Sequence, residues 1–307
     1  MTPRIDAHLH VFAKVSSEFP RETNDQFPAD REEPVEKLLK EMEENSVDQA
    51  VLVQLGGTSL DHHAYLRYCL KTYSDRFLGI GLIPEEDQSP EEHMDRLAEE
   101  EGLVGFRLSS IGGPINPLEP LNIQMFKSYP IWKRAAEKDY VLWLYPREED
   151  VHTVPYLISE FPQVRVVFNH LLVCPGKRSF CWDEKGRPQV ALSQLPPRTH
   201  YSTLRLYQHE NVHVHLSGQY AFSKEGWPYL DLSEWHKQLY GDTTGNHGFG
   251  ANRLMWGTDF PWILEDPGYL KMTQIVKKLL PDLLDGDLEE IMGGTAKRIL
   301  RFPEIKV

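Results

Sequence analysis

Eight short runs rich in Val, Ile, Leu, Phe and Trp recur along the whole chain, at residues 4–10, 49–54, 77–83, 103–108, 140–145, 164–170, 212–217 and 253–259. Runs of this length and composition form strands. Between them the apolar residues follow helical spacing: Val35, Leu38, Leu39 and Met42 share one face of 34–44, and Leu270, Ile275, Val276 and Leu279 one face of 269–280. Strand alternating with helix implies parallel strands joined by right-handed crossovers, and eight such units in 307 residues make the count of a (β/α)8 TIM barrel, an α/β fold. No Pro- or Ser-rich linker interrupts the pattern, so residues 1–307 are expected to form a single domain. A doubly wound open sheet is the competing topology, but no GxGxxG follows the first strand.

Two loops are long, 11–33 and 171–198. In a barrel they follow strands one and six and overhang the C-terminal mouth, where active sites of this architecture sit. The tail 287–300 has the spacing of a closing helix through Leu288, Ile291, Met292 and Ile299, with Gly293-Gly294 expected to weaken it by about 1 kcal/mol per glycine. With 33 basic against 46 acidic residues, a net charge of −13 and dispersed Lys and Arg, nucleic acid and anionic membrane are not expected partners. Charge runs such as Arg31-Glu32-Glu33 and Glu99-Glu100-Glu101 read as solvated helix faces and ends. No stretch reaches the roughly 18 apolar residues of a membrane helix, and the first residues lead directly into a strand, so a cytoplasmic protein is expected. Cys69, Cys174 and Cys181 form no CxxC pair, which argues for reduced thiols and against a cysteine zinc site.

The chemistry gathers at strand ends. In Asp6-Ala7-His8-Leu9-His10 the two histidines, two apart on a strand, point the same way and aim into the lumen. Alone, HxH is more often a surface or core pair than a metal chelate. Strand six, however, ends at Asn169-His170 and strand eight at Thr258-Asp259, so four ligand-type side chains would meet at one mouth. Taken singly, Asp259 could be a turn-capping carboxylate before Pro261 and His170 a hydrogen-bonded loop histidine; jointly those readings lose ground. Imidazoles with one carboxylate suit a single Zn²⁺, or another borderline divalent ion, better than Mg²⁺ or Ca²⁺, with Mn²⁺ as an alternative.

Strict alternation in 211–218 puts Val212, Val214 and Leu216 on one face and His213, His215 and Ser217 on the other. His215 and Ser217 are therefore candidates for substrate or metal contact, with His213 deeper; a hydrogen-bonded histidine ladder is the alternative. Arg107 ends strand four, with Gly105 expected to leave room beneath it, and is a candidate anion clamp for a substrate carboxylate or phosphate; an inter-strand salt bridge is its alternative role. Gln54, Tyr145 and Arg147 end strands two and five as candidate substrate hydrogen-bonders. There is no GxSxG elbow and no P-loop, and Cys174 four residues after His170 is too generic for a nucleophile pair.

These segments, together with 249–261 (FGANRLMWGTDFP) and 294–300 (GTAKRIL), resemble the amidohydrolase superfamily over nearly the whole chain. The branch resembled is amidohydrolase-2, with its sugar-lactone and muconolactone hydrolases, 2-pyrone-4,6-dicarboxylate lactonase, and aminocarboxymuconate-semialdehyde and resorcylate decarboxylases. The resemblance implies metal-ligand positions at His8, His10 and His170, and at Asp259 a ligand or the general base for the attacking water. Two departures stand out: no strand-end lysine is suited to carboxylation, which disfavours a two-metal site, and His215 stands where lactonases of this branch commonly have lysine. Some relatives work without metal. The expected function is hydrolysis of a lactone or cyclic ester, a small and anionic substrate, at one divalent ion, with homo-oligomerisation open. Non-oxidative decarboxylation on the same cradle, and a non-catalytic binding barrel, are the alternatives.

Overall fold

The β-branched and aromatic runs all become strands. A computed structural model describes residues 2–84, 88–99, 102–176, 179–241 and 247–304; Glu100 and Glu101 of the acidic run lie outside these. The strands are β1 Ile5–Leu9, β2 Gln49–Val53, β3 Phe77–Leu82, β4 Leu103–Leu108, β5 Val141–Leu144, β6 Val166–Phe168, β7 Phe180–Trp182, β8 Pro188–Val190, β9 Val212–Leu216 and β10 Leu254–Trp256. Eight of them form one sheet in the order β1-β2-β3-β4-β5-β6-β9-β10, every neighbour parallel, with helices such as Val35–Glu44, Pro90–Ala98 and Tyr129–Lys138 between. This is a (β/α)8 barrel, nearly closed. Just past β10 the Asp259 N–H donates to the His8 carbonyl (2.9 Å) and the His10 N–H to the Phe260 carbonyl (2.7 Å), so the two ends of the sheet meet at the mouth. Below, buried Asp6 accepts from the Thr258 N–H (2.8 Å), the Thr258 hydroxyl (2.6 Å) and the Tyr269 hydroxyl (2.9 Å), joining β1 to the segment after β10.

Two apolar layers follow from the period-2 alternation of side chains. Leu52, Phe106, Leu142, Val214 and Trp256 pack outward against the helices. Ile5, Ala7, Val51, Val53, Ile80, Val141, Trp143, Val167 and Met255 fill the lumen, and Ala296, Leu300 and Phe302 of the tail join them. The tail is helical through Asp285–Glu289, a π-turn at Glu290–Gly294 and Thr295–Leu300. Its glycines are not the weak point that helix propensity suggests. A Cβ on Gly293 would lie 1.8 Å from the Pro3 carbonyl oxygen, so glycine is what lets the tail press against the start of β1.

Both long loops are built rather than loose. In 11–33 the buried Arg21 guanidinium donates to the carbonyls of Glu22, Phe27, Pro28 and Arg31 and stacks on the Phe27 ring at 3.8 Å. Loop 171–198 contains the antiparallel hairpin β7–β8, which the sequence reading passed over. The two loops touch where Arg31 donates to the Gly186 carbonyl (3.3 Å).

Candidate active site at the barrel mouth

An extra residue in β1 sets up the site. From Asp6 to Leu9 the strand advances one residue more than β2 does from Ala50 to Leu52, a bulge that breaks the alternation. Asp6 therefore turns toward Thr258 and Tyr269, while His8 and His10 reach the lumen. His8 sits among imidazoles, with ring centroids 5.2 Å from His10, 4.7 Å from His170 and 5.2 Å from His215. Asp259 Oδ1 lies 3.7 Å from His8 Nε2 and 3.5 Å from His10 Nε2. One ligand-type atom each from His8, His170 and Asp259 falls within 4.8 Å of the others. His170 and Asp259 are held at φ +45° and +61°, left-handed conformations that cost a non-glycine residue roughly 1–2 kcal/mol. Gly218 at φ +74° lets the chain pass under His170, since a Cβ there would lie 2.8 Å from the ring Nδ1.

Hydrogen bonds orient the rings. His10 Nδ1 lies 2.8 Å from the Val53 carbonyl, which can only accept, so Nδ1 carries a proton. His170 Nδ1 pairs with the Ser217 hydroxyl at 2.9 Å. His8 Nδ1 instead accepts from the Trp143 indole N–H at 3.0 Å. Asp259 Oδ2 accepts from the Tyr220 hydroxyl at 2.8 Å. His8 Nε2, Asp259 Oδ1 and both His215 nitrogens are buried without a hydrogen-bond partner. Burial, reinforced by the neighbouring imidazoles, pushes His8 well below the usual histidine range; burial takes His170 down to about 4. Burial also pulls the Asp259 carboxyl up, but the imidazoles of His170 and His10 and the hydroxyl of Tyr220 outweigh it, and the net displacement is downward. The mouth thus holds an ionised carboxylate, with the buried His8 and His170 imidazoles disfavoured as cations. Its donor types and orphaned atoms fit one borderline divalent ion.

Above this floor lies a cavity of about 200 Å³. Its walls are largely aromatic: Phe180 and Trp182 from the hairpin, Tyr145, Tyr220, Phe222 and Trp262. His10, His170, Asp259 and Arg107 also line it. The Arg107 guanidinium stands 5.2 Å from the Tyr145 ring centre, and among the described residues no carboxylate comes within ion-pair distance of it. Burial lowers its pKa, but an arginine stays charged.

Of the residues singled out in the sequence, His8, His10, His170, Asp259, Arg107 and Tyr145 are brought together. Ser217 reaches the site through His170, and His215 through tilted ring contacts with His8 (5.2 Å) and Trp143 (4.7 Å); neither lines the cavity. His213 is deeper, its Nδ1 3.3 Å from the Val166 carbonyl. Gln54 is misplaced by the sequence reading: Val51 and Val53 take the lumen side of β2, and the Gln54 amide donates to the carbonyls of Leu55, Gly57 and His62. Arg147 does not line the cavity either. Gly105 does not leave room beneath Arg107; it admits the β5 backbone, a Cβ there meeting the Val141 carbonyl oxygen at 2.2 Å. Burial pushes the Cys174 thiol up, which fits its dismissal as a nucleophile. Trp143, Tyr220 and the hairpin aromatics were missed. Trp143 stands two residues before Tyr145 on the same face, and an aromatic run before the Asp183–Gly186 turn marks the hairpin, so both had a signal.

The sequence profile of the amidohydrolase family matches residues 5–302. No curated protein matches the chain. Among solved structures, a protein from Pseudomonas putida provisionally named 2-pyrone-4,6-dicarboxylic acid hydrolase is 20% identical, with TM-score 0.69 and 99% of each chain covered. A Burkholderia multivorans amidohydrolase with bound zinc is 19% identical, TM-score 0.69, over 98% of this chain and 100% of that one. A 2,6-dihydroxybenzoate decarboxylase from Rhizobium is 14% identical, TM-score 0.59, over 98% and 99%. At these identities the likeness speaks for the fold. Among the described residues no helix is long and apolar enough to cross a membrane.

Proposed function

The chain belongs to the amidohydrolase family, and on that premise we propose that it is a hydrolase of lactones or related cyclic esters that carry a carboxylate. One observation carries the reading: an ionised Asp259 with an unpartnered Oδ1 shares one aromatic-walled cavity with a guanidinium that, among the described residues, has no carboxylate partner. Arg107 pairs with the substrate carboxylate, a charge-assisted contact that also sets the orientation of the ring. The rings of Phe180, Trp182, Phe222 and Trp262 enclose the apolar body of the substrate and exclude water. Asp259 Oδ1 takes the proton of the attacking water, while the Tyr220 hydroxyl holds Oδ2 and keeps the carboxylate aimed. Tyr145, beside both Arg107 and His170, donates to a substrate oxygen. A single divalent ion, Zn²⁺ by donor type, would be held by His8, His10, His170 and Asp259, and when bound supplies a water of lowered pKa and polarises the carbonyl.

Decarboxylation is the second reading, favoured by the same Arg107, which would serve equally for an aromatic carboxylate. Elemental analysis of the purified protein, then proton release against CO₂ release over carboxylated lactones and hydroxybenzoates, separates the two. Ring opening of carboxylated lactones is the expected outcome. CO₂ from the aromatic acids with no lactone turnover overturns it in favour of the lyase.

A further inference from the structure

Three imidazoles meet Asp259, and their outer nitrogens are not treated alike. A histidine that ligates a metal through Nε2 needs its proton on Nδ1, and the protein normally supplies an acceptor there. His10 has one in the Val53 carbonyl, and the Ser217 hydroxyl beside His170 is free to rotate into that role. His8 faces the reverse. The indole N–H of Trp143, 3.0 Å from His8 Nδ1, can only donate. Nδ1 must then offer its lone pair, and the single proton of the neutral ring sits on Nε2, the atom directed at Asp259 Oδ1. The side chains of His8 and Trp143 are fully buried, so water does not stand in for either partner of that hydrogen bond.

We propose that Trp143 is a positioning residue that limits how tightly the barrel mouth holds a divalent ion, by keeping His8 in its Nε2–H tautomer. The proposal rests on the reading of the mouth as a metal centre. For His8 to ligate, the Nε2 proton must leave and Nδ1 must gain one, so the ring stays neutral and the proton count is unchanged. The Trp143 N–H then loses its acceptor and faces another N–H inside a dry lumen. His10 and His170 carry no such cost. In the metal-free protein the His8 Nε2 proton faces the Asp259 carboxylate across 3.7 Å, and loading metal exchanges that proton for ligation.

Two measurements test this. In metal-free protein labelled with ¹⁵N-histidine, the His8 resonances, assigned by their loss in His8→Gln, are expected to show the Nε2–H tautomer and to change to Nδ1–H when zinc is added. In Trp143→Phe, which keeps an aromatic ring and removes the N–H, zinc affinity measured by competition with a chromophoric chelator is expected to rise about 10-fold or more, the scale of outer-partner effects on metal sites. An Nδ1–H tautomer for His8 in the metal-free protein overturns the proposal, as does a folded Trp143→Phe protein that binds zinc no more tightly. If Trp143→Phe fails to fold, the tautomer of the unsubstituted protein before and after zinc decides alone. Absence of zinc binding by both proteins overturns the metal reading itself and the affinity claim with it, while the tautomer still reports what Trp143 does to His8.

Discussion

The two oxygens of Asp259 have different neighbours, and that asymmetry lets three substitutions be told apart. Oδ2 is held by the Tyr220 hydroxyl, and Oδ1 faces His8 and His10 with no donor close enough to occupy it. Asp259→Asn removes the proton acceptor without altering shape, so kcat is expected to fall about 10²- to 10⁴-fold at an unchanged melting temperature. Near-normal turnover would exclude Asp259 as the base. Tyr220→Phe removes one of the groups that lower the carboxyl pKa, so that pKa moves up and the acid limb of the kcat/KM profile moves to higher pH, while the plateau changes little. An unshifted limb would mean that the hydroxyl does not act through Asp259. Arg107→Met loses a charge-assisted contact of about 1.5–3 kcal/mol, which predicts a KM roughly 10- to 100-fold higher for carboxylated substrates and no penalty for neutral esters. Equal penalties on both classes would show that Arg107 shapes the cavity instead.

At the level of elements, the closing joint of the barrel is the place where one side chain matters most. Asp6→Ala deletes three hydrogen bonds and leaves the Thr258 N–H, the Thr258 hydroxyl and the Tyr269 hydroxyl buried without partners. A loss of about 3 kcal/mol or more is expected, read as a lower urea midpoint; a change under about 1 kcal/mol would mean the backbone pairs at His8 and His10 hold the joint unaided. The same segment shows what a sequence can and cannot display. Alternation along 211–218 is regular, and the structure has Val212, Val214 and Leu216 on the outer face, as that pattern requires. In β1 the bulge re-aims His8 relative to Asp6, and nothing in five residues announces an inserted step, because bulges answer to the neighbouring strand's register. Gln54 stands at the end of β2 as its position in the sequence suggests, but with Val51 and Val53 on the lumen side its side chain takes the other face. The hairpin β7–β8 was obscured by Pro188 and by strands only three residues long, although Asp183 accepting from the Lys185 and Arg187 N–H groups is ordinary turn chemistry. Strand ends, then, were readable, and what connects the side chains at those ends was not.

Across the whole molecule, two electrostatic tendencies oppose each other below neutral pH. The net charge of −13 favours mild acid, since protonation relieves repulsion, but most of that charge is dispersed over a solvated surface where salt screens it. Buried histidines work the other way and are not screened. His63, His200, His213 and His236, all outside the mouth, are each pushed down to about 4, burial being the largest cause. In the unfolded chain they titrate near 6.5, so below that value the unfolded state takes up protons that the folded state refuses. Their contribution is complete above about pH 6.5 and is lost as the pH falls toward 4, at up to about 1.4 kcal/mol per pH unit for each group. Asp6 has the opposite sign. Burial raises it to about 6, so its contribution is present below its unfolded value of 3.8 and is lost as the pH rises through 6. Stability is therefore expected to fall steeply between pH 6.5 and 5, with a slope well above that of a single proton, in urea titrations at fixed ionic strength. His200→Asn, where one ring nitrogen already lacks a partner, should flatten that slope by close to one proton. A profile level from pH 7 to 5 would mean that these imidazoles open to water before the chain unfolds.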